Sequence, residues 1–394
     1  MPQCIYYFMR ILHGRRPAVL ASGVLMTVPL FFYMSRQAKP DMMLTLTLCT
    51  VMGFFALARF GPSEKRTRYF MLFYASAGLG FLTKGPVSSA IIVLAVGLFW
   101  AMHIRPFELR EWKKIPSALR AFVKEYRLIS GAAVFLLVAA PWYCMEIMRH
   151  GNDYVSTFFG WETMDRFNQT IRGHDGPVSF YVRTIWHGTH PWCGLFVAGI
   201  FFYAGRFRDP DPEARLRWLY LAWALATLVL FTWAGTKISH YILTIVPAFA
   251  VVVGLVWDGY FAKERSPWMG PVILMAIIIG ILPIRDFIMQ ETKFVFDAFT
   301  SKRTIYRMDV LPFLRGLCVA WVLVLLPALF WRRSWTLTLL MFGVTYANGV
   351  YFLHHVVPEH AHRRTLSFYL EDYIDQREPH SDLILYGSEF RQSM

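Results

Sequence analysis

The sequence predicts an all-α integral membrane protein of about eleven transmembrane helices, with its chemistry gathered at the non-cytoplasmic face. Three observations carry this. Of the 394 residues, 56% are hydrophobic, 17% aromatic and only 17% charged, and the mean hydropathy is +0.39. A soluble domain of this length needs far more charge to cover its surface, so the apolar excess faces lipid. Apolar runs able, or nearly able, to cross a hydrocarbon core of about 30 Å recur along the chain. Finally, Lys and Arg concentrate in the short loops between those runs, as topology control requires.

The runs fall at 17–36, 41–60, 69–83, 86–103, 128–145, 191–206, 216–234, 239–258, 267–283, 311–331 and 335–353. The pair at 69–83 and 86–103 is separated by so little that Gly85-Pro86 reads either as a tight turn or as a re-entrant one. One set of loops holds Arg10, Arg15 and Arg16, then Lys65, Arg66 and Arg68, then the basic stretch from Arg105 to Arg127. It continues with Arg206, Arg208, Arg215 and Arg217, then Lys263 and Arg265, then Arg332 and Arg333. These loops alternate with a set poorer in basic residues, so the positive-inside rule makes the first set cytoplasmic. The other face then carries 37–40, the 83–85 turn, the loop 146–190, the turn at 235–240, the loop 284–310 and everything beyond about 354. Residues 1–354 thus form the polytopic unit, and 355–394 read as the start of a small outer domain whose first strand is Ser381–Tyr386.

Several function classes drop out. The net charge of +14 lies in topology-setting loops, which removes nucleic acid as a partner. The five cysteines are widely spaced, without a CxxC or zinc pattern, and read as buried apolar packing. No assigned span carries an ionisable residue near its midpoint, and no internal repeat is visible, which argues against an ion-coupled transporter. Met1–Ile11 begins within an apolar, aromatic stretch without the pattern of a signal peptide, and the chain stops soon after Tyr386. The expectation is a fragment at both ends.

The polar chemistry sits at the rim. Asp41, in KPDMMLTLTL, stands at the outer mouth of the second span, where a carboxylate can deprotonate or orient a hydroxyl. Its plain alternative is a first-turn charge favoured by the helix dipole. Lys84, in GLGFLTKGP, is well placed for a phosphate at headgroup depth, or else snorkels to the interface. Lys237, His240 and Tyr241 share one outer turn, GTKISHY, that could grip a phosphate or a sugar, although each alone also fits an interfacial belt. In the loop 146–190, Tyr154–Phe167 reads as an amphipathic interfacial helix, and its mix of aromatics and charges suits a ligand with a greasy tail and a polar head. His354, His355, Glu359, His360 and His362 cluster beyond the last span, where metal binding is the minor reading. His174 reads as a hydrogen-bonding loop residue before a ligand.

The succession KPDMMLTLTLCTVMGFFALARF, GLGFLTKGP, APWYCMEIMRHGNDYVSTFFGWETMDRFNQTIRGHDGPVSFYV with HPW, and GTKISHYILTIVPAFA resembles the polyprenyl-phosphate-dependent membrane glycosyltransferases of the GT-C class. It is most similar to the aminoarabinose lipid A transferases and the protein mannosyltransferase-like bacterial proteins. The resemblance covers roughly residues 5–260 in order. It implies a fold of about thirteen spans with periplasmic interfacial helices and a C-terminal periplasmic domain, in the bacterial inner membrane. It further implies transfer of a sugar from a polyprenyl-phosphate donor to a lipid A-like or protein acceptor at the periplasmic face, with no firm cofactor and a divalent metal optional. Asp41 matches the second of two acidic residues at the catalytic cavity, Lys84 and Tyr241 match positions near the lipid phosphate, and His174 matches a loop histidine that contributes to a metal site. An Asp-Glu motif belonging to the family's first span and loop lies before the point where this sequence starts, so eleven spans read as thirteen less two. The competing expectation is a non-catalytic lipid-handling or transport protein, or an inactive fragment of the transferase.

Overall fold

The computed structural model of the chain describes residues 1–101, 115–169, 176–204, 209–261 and 334–351, with single residues at 275, 354, 358 and 374. Among the described residues every regular element is a helix. The chain divides into two compact units, Met1–Tyr346 and Ala347–Met394. In the second, the described residues are 347–351 and the single positions after them. The expected strand Ser381–Tyr386, the spans at 267–283 and 311–331, and most of the C-terminal histidine cluster lie outside the described residues.

The first unit opens with α1 (Pro2–Leu12) and α2 (Arg15–Thr27), followed by a short α3 (Pro29–Met34). The expected span 17–36 is divided because Pro29 forces Val28 out of the helical region, to φ −69° and ψ 118°, and supplies no N–H to continue the ladder. The same device starts α4 (Pro40–Phe60): Lys39 is extended before Pro40, and Asp41 falls in the first turn. Next come α5 (Arg66–Lys84) and α6 (Pro86–Ala101), joined only by Gly85. Gly85 has φ 56° and ψ −138°, which is open to glycine and strained for other residues. The 83–85 segment is therefore a tight helix-to-helix turn.

After α7 (Ile115–Glu125), α8 runs from Leu128 to Val155, kinks at Gly151 (φ 59°), and passes into a π-helix over Ser156–Asp165. A single turn, α9 (Arg166–Asn168), ends this segment. The helix expected at Tyr154–Phe167 is thus present, but it is π-wound and continuous with a long apolar helix. Then follow α10 (Phe180–Gly188), α11 (Cys193–Ala204) and α12 (Pro212–Trp233), the last capped by the Asp211 carboxylate, which accepts from the Ala214 N–H at 3.0 Å. A 3-10 helix over Ser239–Ile245 leads into α13 (Val246–Phe261), and α14 spans Ser334–Tyr351.

Among the described residues, four stretches are long and apolar enough to cross a membrane: Pro40–Phe60, Leu128–Asp165, Pro212–Trp233 and Ser239–Tyr260. Pro86–Ala101 and Cys193–Ala204 are apolar but shorter. Their burial sorts them. Every residue from Ile242 to Trp257 is buried, so α13 is the central post of the unit. By contrast, α8 keeps Ile129, Leu136, Leu137, Trp142, Met145 and Met148 exposed, so it stands at the periphery.

α2 packs on α13 at backbone distance: a Cβ on Gly254 would lie 2.7 Å from the Ala21 amide nitrogen. Small residues at a helix crossing let the backbones approach and gain dispersion along the whole seam. Beside them, the fully buried Trp192 follows the cis His190-Pro191 bond and donates its indole N–H to Thr27 Oγ1 at 3.0 Å. This ties the start of α11 to the end of α2. Gly254→Ala should wedge α2 from α13, cost about 1–3 kcal/mol, and lower the thermal midpoint measured in detergent. Gly97→Ala, at an exposed position with nothing within 4 Å of the new Cβ, should leave that midpoint unchanged or raise it.

Candidate functional site

α4 and α5 are antiparallel neighbours, so the N-terminus of α4 and the C-terminus of α5 meet at one end of the bundle. Asp41 occupies the first of these ends and Lys84 the second. The helix dipoles favour both charges where they stand. Lys84 Nζ lies 2.6 Å from Asp41 Oδ1, and the Asp41 side chain is only 5% exposed. The second carboxylate oxygen of Asp41 is 3.6 Å from His240 Nε2. Beneath the ammonium lies the ring of Tyr241, its centroid 4.0 Å from Nζ, within cation–π range. His240 in turn stands edge-on to Tyr241, with ring centroids 5.4 Å apart.

Four of the six candidate residues named from the sequence therefore converge: Asp41, Lys84, His240 and Tyr241. The fifth, Lys237, donates from Nζ to the Ala234 carbonyl at 3.1 Å, on the last turn of α12, and so secures the turn on which His240 and Tyr241 are carried. His174 lies outside the described residues. Among the described residues no group of three or more His, Cys, Asp or Glu is arranged to hold a metal ion.

A half-open cleft of about 500 Å³ is lined in part by Lys84 and Tyr241. One wall is α6, through Pro86, Val87 and Ala90; another is α12, through Leu230, Phe231 and Ala234. The third wall is the π-helical segment, which contributes Phe158, Glu162, Thr163 and Met164. π-helical winding is rare, and where it interrupts an α-helix it is frequently at a functional site. In this one the Thr163 hydroxyl donates to the Phe158 carbonyl five residues back, at 2.8 Å. The segment comes close to Lys84 because residue 85 is glycine: a Cβ there would sit 2.9 Å from the Phe158 ring. Tyr143 supports it from α8, packing on Phe158 and donating its hydroxyl to the Phe81 carbonyl at 2.8 Å.

The turn 235–241 is held from the same side. The Gly235 N–H donates to the Phe167 carbonyl at 2.7 Å, and the Thr236 hydroxyl to the Gln169 carbonyl at 2.8 Å. A Cβ at Gly235 would meet the Gln169 backbone at 2.8 Å, so this close pairing also needs glycine. Tyr181 clamps the next residue in both directions. Its hydroxyl accepts from the Ile238 N–H at 3.1 Å and donates to the Ile238 carbonyl at 3.3 Å. Burial pushes the Tyr181 phenol well above its ordinary range, so the proton needed for this donation stays in place.

Sequence reasoning missed the clamp, because its partners are 57 residues apart and nothing local pairs them. It also missed the walls contributed by α6 and α12, whose residues read only as span. Glu162 and Phe158 were visible as loop residues, and their shared presence on the cleft follows from the π winding. Tyr181→Phe removes both hydrogen bonds and strands the Ile238 N–H, which should cost about 1–3 kcal/mol. The readout is a lowered thermal midpoint with faster proteolysis across 235–241.

Residues 1–144 match the family model described as dolichyl-phosphate-mannose-protein mannosyltransferase. An undecaprenyl phosphate-alpha-4-amino-4-deoxy-L-arabinose arabinosyl transferase of Aeromonas salmonicida is 30% identical over 248 residues, which are 62% of this chain and 41% of that protein. An uncharacterized protein of Aquifex aeolicus is 24% identical over 298 residues, 74% of this chain and 59% of its own length. The chain thus spans about two fifths of the length of the curated transferases that it matches. Among solved structures, ArnT from Cupriavidus metallidurans bound to undecaprenyl phosphate superposes with a TM-score of 0.60 and 19% identity, covering 89% of this chain and 58% of that one. Its apo form gives a TM-score of 0.64, covering 88% and 59%. The likeness in structure shows a shared fold, and over residues 1–144 the chain is similar to the dolichyl-phosphate-mannose-protein mannosyltransferase family, as it is over 248 residues to the curated arabinosyl transferase.

Proposed function

We propose that the protein carrying this sequence transfers a glycosyl group from a polyprenyl-phosphate donor to a lipid A-like acceptor at the outer face of the bacterial inner membrane. The observation that carries this reading is the Asp41–Lys84 pair, whose lysine lines a largely apolar cleft. The cleft walls accept isoprenoid units, and the cation among them meets the phosphate. A phosphate beside Lys84 places the anomeric carbon near Asp41. Relatives named as undecaprenyl-phosphate sugar transferases support the donor class. On the same reading, the remaining apolar runs complete about eleven crossings, and the charge of the loops sets the site on the periplasmic side.

In the reaction the acceptor oxygen attacks the anomeric carbon. A new glycosidic C–O bond forms, the C–O bond to the phosphate breaks, and polyprenyl phosphate leaves with the electron pair. Asp41 orients the acceptor hydroxyl and receives its proton. Lys84 stabilises the charge that grows on the departing phosphate. An ammonium has three donors, so Lys84 can serve a carboxylate and a phosphate oxygen together. Tyr241 fixes the height of the ammonium, and His240 holds the second oxygen of Asp41. Lys237 acts through the turn by binding the α12 terminus. Each step runs through this chain's own side chains.

Asp41→Asn keeps the volume and removes the base. It should lower transfer at least about tenfold, mainly in kcat. Lys84→Ala should lower transfer to a similar extent, with a raised KM for the lipid donor. Transfer is read with a polyprenyl-phosphate sugar and lipid A in membranes carrying the whole protein, and expression in the membrane is checked for each variant. Wild-type rates in both variants would overturn the assignment. Binding of polyprenyl phosphate without transfer to lipid A or to a protein hydroxyl, in the wild type, would support a lipid-handling protein instead.

A further inference from the structure

We infer that the end of the bundle remote from the cleft is a binding site for anionic phospholipid, with the headgroup on the cations of α7 and of the starts of α5 and α8, and the acyl chains along α8. The distance is set by α5 itself, which carries Lys84 at one terminus and Arg66 at the other. Its 19 residues separate the two by about 27 Å at 1.5 Å per residue. This surface is therefore distinct from the Asp41–Lys84 site and from the cleft.

The headgroup side is a rigid cluster of positive charge. Glu125, at the end of α7, accepts from Arg59 of α4 at 2.9 Å and from Arg66 of α5 at 3.0 Å. One carboxylate thus cross-links three helices, and its negative charge is spent on two guanidinium groups. Tyr126 sits buried beside it, stacked on Phe55 and packed against Phe70 and Phe122. Tyr74 donates to the Tyr126 carbonyl at 3.0 Å, and Arg127 donates to Thr67 Oγ1 at 3.4 Å. Around this fixed knot Lys65, Arg68, Arg120, Lys124 and Arg127 are all exposed. Arg120 and Lys124 are four residues apart on α7 and so project from one face. Among the described residues of this corner, Glu64 is the one other carboxylate.

The acyl side begins at the next residue but one. Ile129 is 79% exposed, and Ala133, Leu136, Leu137 (75%), Cys144, Met145 and Met148 (78%) continue the exposure along α8 at helical spacing. Trp142 lies on the same helix, 51% exposed. A contiguous apolar stripe of this length fits hydrocarbon chains, and cations at its end fit the phosphate of a lipid. A soluble polyanion would use the cations and leave the stripe idle. The two features adjoin at Arg127–Ile129, which selects a lipid over a free phosphate or an acidic protein.

The test is the relative association of spin-labelled phosphatidylglycerol and spin-labelled phosphatidylcholine with the whole protein in phosphatidylcholine vesicles, read by electron paramagnetic resonance. The wild type should prefer the anionic lipid by at least about threefold at low salt, and about 0.5 M salt should reduce that preference. The triple variant Arg120→Gln/Lys124→Gln/Arg127→Gln should bring the ratio close to unity while leaving sugar transfer in place. Should that variant fail to fold, Lys65→Gln/Arg68→Gln together with the salt dependence of the wild type decides. A wild-type ratio near unity, a ratio unmoved by the charge variants, or displacement by inorganic phosphate at equal concentration would each overturn the proposal. Loss of transfer activity in Asp41→Asn leaves this measurement untouched, so the two readings fail separately.

Discussion

The ion pair between Asp41 and Lys84 is the constraint on which this end of the helix bundle depends. An almost fully buried carboxylate is tolerated when a cation and further polar contacts compensate it, and removing one partner of such a pair costs about 3–5 kcal/mol. Compensation here comes from helix ends: the α4 N-terminus under Asp41 and the α5 C-terminus under Lys84. The pair therefore fixes where two rods stop, and everything else at this end is arranged around that point. Tyr241 under the ammonium and His240 beside the second oxygen complete the shell.

Two segments without regular α-helical winding supply that arrangement. The π-helix brings Phe158, Glu162 and Thr163 to the cleft, and the turn after α12 brings His240 and Tyr241 to the pair. They are not independent, since Phe167 and Gln169 bind the backbone of Gly235 and Thr236 directly. Backbone hydrogen bonds between two irregular segments are demanding in register, because each unmatched group would be stranded away from water. A shift of either segment therefore moves both the wall of the cleft and the floor under the cation.

Much of this was legible in the sequence, and for identifiable reasons. Apolar runs fixed the class, because burying an uncharged run of this length in water-soluble form is physically unreasonable. Asp41, Lys84, His240 and Tyr241 stood out because charged and polar residues at the rims of such runs need a reason, and the structure gives them one another as partners. Lys237 stood out on the same grounds, yet its partner is the nearby Ala234 carbonyl, a local bond that spacing does not distinguish from a distant one. The clamp of Tyr181 on Ile238 was invisible because long-range pairing leaves no local periodicity. The π winding was equally hidden: its side chains recur at spacings that also fit an α-helix, and the difference lies in the backbone. The break at Val28 was present in the sequence as Pro29, and the long apolar run masked it.

Gly85 joins these levels in one atom. Its φ of 56° makes the α5–α6 turn, and its lack of a Cβ lets the Phe158 ring descend to within van der Waals reach of the turn. The distance of the Phe158 ring from the α5–α6 turn is thus gauged by a hydrogen where any other residue has carbon. That spacing sets how closely the π-helical wall of the cleft stands to the turn after Lys84. The bore of the cleft is in this sense written at a position that has no side chain of its own.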